Sequence, residues 1–220
     1  MRTIQNSILL ILFCSFSALA QENDFQTWSS FSANKKIIKN TKLFVKIGLR
    51  LRENSSLYSK QFTDVKIKRK YNKRISYVVG YRHINKWNIA MDISNQNRFY
   101  ADLNYKDKLS KRFTYLVRNK WQTQGYSDDY KMTLRQKFAL EYNIPKTKLT
   151  PSIASEYFFA LGMSWEDHQN EINKLRSTFS MSYPITKDLD AEIAYRIQQE
   201  FYTNNPQTLF IFEGKLAYDF

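Results

Sequence analysis

Charged side chains recur at alternate positions along most of this 220-residue chain, and arginine stands out among them. Arg50, Arg52, Arg82, Arg98, Arg118, Arg135, Arg176 and Arg196 share their segments' polar faces with Asp102, Glu141, Glu156, Glu192 and Glu213. A guanidinium offers five donors in a planar fork that matches a carboxylate two bonds at a time. Two chemistries follow. Paired, such groups neutralise one another and fill space; unpaired, the arginines favour anions. Glu141 and Glu156 lie on segments joined by a short turn, as do Arg176 and Glu192.

Covalent or acid–base catalysis would need a nucleophile or a proton-transfer pair in a recognisable arrangement. The chain has two histidines. His83 follows Arg82 at a segment end, and His168 closes Trp165-Glu166-Asp167-His168 in a polar stretch. Neither stands in a motif with a serine, so no enzyme is expected. Asp167 and His168 alone supply too few ligands for a metal site, and no cofactor is expected.

These residues need a scaffold, and composition restricts which. There are 34 Lys+Arg against 20 Asp+Glu, a formal net charge of +14. With 43% hydrophobic and 25% charged residues the chain is not a disordered one. A mean hydropathy of −0.56 and the lack of a long internal apolar run exclude a bundle of membrane helices. Yet 16% of residues are aromatic, against only 5 Gly and 4 Pro, which is a chain of β-formers sparing in loops.

Residues 1–20 read as a secretory signal. Arg2 gives the positive start, Ile8 to Phe13 the apolar core, and Ala18-Leu19-Ala20 the small residues before cleavage at Gln21. Removal takes Arg2 and Cys14, the single cysteine, leaving 200 residues, a net charge of +13 and no thiol. Export also removes nucleic acid as a partner for the basic run Lys66 to Arg74, which reads as a turn meeting water or anionic lipid heads.

From residue 41 onward the period is two. Leu43, Val45, Ile47, Leu49 and Leu51 share one face, with Lys42, Lys46, Arg50 and Arg52 on the other. Nine further segments repeat this, among them Phe99 to Tyr105, Met132 to Tyr142, Leu189 to Gln198 and Phe210 to Phe220; Thr63 to Lys68 is weaker. The segment 24–40 has a poor apolar face, with Thr27, Ser29 and Ala33 between Phe25 and Phe31.

Such strands fit a soluble sandwich with charges outside, or a membrane barrel with charges inside. The barrel is favoured. Tyr105, Phe113, Tyr142, Tyr183 and Tyr218 cluster at one end of the apolar faces, and Phe99, Trp121 and Phe159 at the other, as two aromatic girdles require. Short turns alternate with longer polar loops, Asn85 to Asn97 and Gly162 to Glu171. Phe220 ends an alternating aromatic strand, as bacterial outer-membrane proteins commonly do, which implies the barrel-assembly machinery as a partner beside outer-membrane lipid. The expectation is an all-β, antiparallel up-and-down transmembrane barrel over 21–220, as one domain. About ten strands are expected, because single-chain barrels usually have an even number. Twelve is the alternative if Trp87 to Ile93 hides another.

Several motifs resemble the domain-of-unknown-function family 2490 of Gram-negative bacteria over essentially the whole mature length. They are Trp28 followed by a basic turn to Lys42, Gly80-Tyr81-Arg82, Arg98-Phe99-Tyr100-Ala101-Asp102-Leu103, Arg135-Gln136-Lys137, Glu141-Tyr142-Asn143-Ile144 and Ser155-Glu156-Tyr157-Phe158. The resemblance implies an outer-membrane barrel and no assigned activity, so it carries over no catalytic residue. Two functional readings stay open: a structural or binding barrel with its lumen filled by Arg–carboxylate pairs, and a small anion-preferring pore.

Overall fold

A computed structural model describes residues 22–126, 129–161, 172–202 and 206–220. The expected signal at 1–20, the stretch Gly162 to Glu171 and His168 lie outside the described residues.

The chain closes into one barrel of eleven strands. In order they are β1 (Glu22–Ile38), β2 (Thr41–Arg52), β3 (Leu57–Lys70), β4 (Ile75–Trp87), β5 (Ile93–Lys108) and β6 (Phe113–Tyr126). Then follow β7 (Asp129–Tyr142), β8 (Thr150–Leu161), β9 (Ile172–Pro184), β10 (Leu189–Glu200) and β11 (Gln207–Asp219). Every sequential neighbour pairs antiparallel, and β1 closes the ring by pairing parallel to β11. The ten alternating segments are β2 to β11, and the weakly patterned segment 24–40 supplies the added strand. It can pair there because main-chain hydrogen bonding does not require an apolar face. The parallel closure reconciles the odd count: β1 and β11 both run toward the end where the chain terminates.

Two details differ from expectation. Trp87 to Ile93 holds no further strand, since β4 and β5 pair up to Trp87 opposite Ile93. The presumed loop from Asn85 to Asn97 is therefore mostly strand, closed by a turn in which Asn88 Oδ1 accepts the Asp92 N–H at 2.8 Å. Polar residues there extend the sheet beyond the apolar belt rather than leaving it.

The two faces are sorted as the pleat demands. Val79 and Ile47 are 63% and 53% exposed on the outer wall, while Ile211 and Asp64 are 0% and 2% exposed inside. Outer aromatic pairs gather toward both rims. Tyr105–Tyr115 (5.7 Å) and Phe113–Tyr142 (4.9 Å) lie near the short turns, and Tyr58–Trp87 (6.2 Å) and Tyr81–Phe99 (5.2 Å) toward the opposite end. A wall of contiguous apolar surface this large is unfavourable in water and suited to a hydrocarbon surround.

The outer half of β1 is tied down by its neighbours. Residues 53–55 of the β2–β3 turn all take left-handed backbone conformations. Asp24 accepts the Asn54 N–H at 3.0 Å, and the Ser55 and Thr27 hydroxyls meet at 2.8 Å. Behind them Trp28, Leu209 and Ile211 form the buried apolar contact across the β1–β11 closure.

Candidate functional site: the ionic bore

Alternate positions of every strand point inward, so the bore is built from residues that sequence spacing alone scatters over the chain. At its centre stands Glu156 of β8, 4% exposed. Arg118 of β6 reaches it at 2.6 Å, Arg135 of β7 at 2.8 Å and Arg176 of β9 at 3.4 Å. Arg135 also donates to Gln122 at 3.2 Å, and Arg176 to Gln198 at 3.1 Å. Both guanidinium groups lie over the Phe158 ring, at 4.5 and 4.9 Å from its centroid. One carboxylate thus gathers cations from three strands, and an aromatic face shares the load electrostatically.

A second cluster lines the β1–β6 side. Asp64 accepts from Arg82 Nε at 2.7 Å and from the Tyr100 hydroxyl at 2.8 Å. Arg82 stacks on Phe62 at 4.1 Å, Arg50 on Trp28 at 3.7 Å, and Lys120 over Tyr100 at 3.5 Å while pairing with Asp102 at 3.0 Å. Two glycines make room for the rings. Gly48 faces Phe62 and Gly80 faces Tyr100 across the strands; a Cβ at either would come within 2.3 and 2.4 Å of ring carbons. The rings can therefore lie flat on the wall and present their faces to the cations.

The third cluster joins β10 and β11. Arg196 pairs with Glu213, and Lys215 reaches Glu192 at 2.6 Å and Glu213 at 3.5 Å.

Strand register decides which predicted residues meet. Arg176 stands directly opposite Glu156, whereas Glu192 stands opposite Ser182, so the suggested Arg176–Glu192 neighbourhood does not form a pair. Glu141 is not grouped with Glu156 either; it lies near the short-turn rim and accepts from Lys106 at 2.6 Å. Arg98 donates to Gln124 at 2.8 Å. Arg50 meets aromatic rings where a carboxylate was expected.

Sequence reasoning missed Asp64, Trp28, Phe62, Tyr100 and Phe158 as bore residues. Parity held the signal: Phe62, Asp64 and Lys66 share one face of β3. An inward aromatic there blurs the apolar–polar alternation and makes the strand look weak. His83 points to the outer face, with Nδ1 3.3 Å from Asn97 Oδ1, away from the ionic clusters.

A closed, mostly antiparallel barrel with an apolar wall and an ionic interior is the architecture of the porin-like barrels. The chain belongs to the family described as "Protein of unknown function (DUF2490)", whose model matches residues 25–209. Among solved structures it is similar to the NanC porin in its rhombohedral crystal form. The TM-score is 0.53 at 11% identity, over 85% of this chain and 93% of that one. That likeness is one of fold. No curated protein sequence matches the chain.

Proposed function

We propose that this protein is an integral outer-membrane barrel whose bore is closed at mid-height by side chains, and that it serves as a structural or binding barrel rather than as an enzyme. The observation that carries the reading is the fourfold assembly of Glu156 with Arg118, Arg135 and Arg176. Trp28 and Phe158, 6% and 7% exposed, lie against its arginines, which leaves little open space at that level. Bilayer placement is supported by the apolar wall, the aromatic rims and the likeness to a porin fold. Residues 1–20 fit export, and lipid is the surrounding partner. Phe220, 75% exposed and edge-on to Tyr218 at 4.7 Å, is available to assembly machinery.

A small anion-preferring pore is the second reading. It is favoured by one observation: Lys46, Lys60, Lys66, Lys137 and Arg50 point inward with no carboxylate within 4.0 Å among the described residues.

Recording from the purified protein in planar bilayers separates the two. A closed bore gives a silent wild type, and Arg118→Ala with Arg135→Ala opens measurable conductance. A wild type that already conducts, with anion preference reduced by those substitutions, would establish the pore. Migration on a gel with and without boiling tests the barrel itself, since a closed barrel in detergent shifts on heating.

A further inference from the structure

Below the Glu156 cluster the bore widens into a vestibule of about 520 Å³ that opens toward the short turns. Small residues make the space. Ser30, Ser32, Ser152, Thr178 and Ser180 line it where the upper bore has aromatic rings. The Ser32 hydroxyl already donates to the Leu216 carbonyl at 3.5 Å; those of Ser152, Thr178 and Ser180 can each donate one hydrogen bond into the cavity.

Charge is unevenly distributed on this wall. Its carboxylates are taken: Glu141 by Lys106 at 2.6 Å and Glu192 by Lys215 at 2.6 Å, with only Asp190 exposed at the mouth. Arg196 is likewise held by Glu213. Lys46 of β2 and Lys137 of β7 also line the cavity, and neither has an ion-pair partner among the described residues. Glu156 stands across the strand from Lys137 but is occupied by three arginines. Lys215 stands on the same lining, so three ammonium groups face one cavity, and the carboxylates within their electrostatic reach, Glu213 for Lys46 and Glu156 for Lys137, are already engaged by arginines.

Buried cations of one sign repel one another and remain poorly solvated unless an anion joins them. We propose that this vestibule binds a small oligoanion, an acid with two or more phosphate or carboxylate groups, between Lys46 and Lys137 with the serine and threonine hydroxyls as further donors. The site rests on the reading of the bore as closed above it, which makes the vestibule a dead-ended cup rather than a stretch of channel. A cavity of this size suits a ligand of a dozen or so heavy atoms, and several charge-assisted hydrogen bonds would orient it.

The test is calorimetric titration of the refolded 21–220 chain in detergent with inorganic pyrophosphate and with citrate, glucose serving as the uncharged comparison. Binding of at least one anion is expected, weakened about tenfold by Lys46→Gln with Lys137→Gln, which corresponds to about 1.4 kcal/mol. Lys46→Arg with Lys137→Arg keeps both charges and should retain binding. Lys111→Gln, in an exposed turn at the same end, should change it by less than about twofold. Absence of binding by the wild type to both anions overturns the proposal, as does equal binding by the double glutamine variant or equal weakening by Lys111→Gln. A bore that proves open shows itself separately, as wild-type conductance in bilayers, so loss of the closed-bore reading and loss of the site are told apart.

Discussion

Arg118 of β6 and Glu156 of β8 meet at 2.6 Å although a whole strand, β7, lies between them. Their contact spans the curvature of the wall instead of following a ladder, and Arg135, on the strand they bridge, joins the same carboxylate oxygen at 2.8 Å. Breaking such a group from one side leaves like charges buried together. Glu156→Gln should therefore destabilise the barrel by about 3–5 kcal/mol, because three guanidinium groups lose their shared counter-ion. Denaturant titration in detergent checks this, with tryptophan emission as the signal; an unchanged midpoint would mean that water already screens the cluster.

The two kinds of glycine should respond in opposite ways. Gly80→Ala puts a methyl 2.4 Å from the Tyr100 ring and must displace the tyrosine that donates to Asp64. A loss of about 1–3 kcal/mol is expected, as for overpacking elsewhere. Gly214→Ala meets nothing within 4 Å and should stay within about 0.5 kcal/mol of wild type. Equal effects at the two positions would show that Tyr100 does not lie flat against Gly80.

Ile47 sits midway along β2 on the outer wall, 53% exposed. Ile47→Arg should cost about 2–4 kcal/mol in a bilayer, the charge standing in hydrocarbon. Folding titrations in lipid vesicles measure it. If the substitution is tolerated as on a water-facing surface, the wall does not face lipid.

The parallel closure makes a register prediction. Ser29 of β1 pairs with Gly214 of β11, and Gly214 in turn with Ile193 of β10. The chain after residue 20 contains no cysteine, so a pair introduced by Ser29→Cys and Gly214→Cys should oxidise to a disulfide between adjacent strands. Ser29→Cys with Ile193→Cys, two strands apart, should not. Mobility on a non-reducing gel reads both. Crosslinking of neither pair would place β1 away from β11 and return the barrel to ten strands.

Much of this architecture is legible without coordinates because a strand writes its environment into alternate residues. Val45, Ile47 and Leu49 against Lys46, Gly48 and Arg50 already define an apolar wall and an ionic interior, since a one-residue slip would bury every charge in the wall. What stayed hidden was carried by residues whose placement depends on more than their own strand. The segment 24–40 has no strong apolar face, and only the open edges of β2 and β11 show that it must pair between them.

The partners inside the bore are the clearest division between the two levels. Sequence by itself determined that arginines and carboxylates share the inner face, because parity is local. It left undecided that Arg176 meets Glu156 and not Glu192, that Asp64 holds Arg82, or that Arg50 rests on Trp28. Those contacts depend on inter-strand register and on the closure of the barrel, which bring together side chains from strands that are distant in the chain. Local alternation fixes which way each residue points; only the closed ring fixes what it finds there.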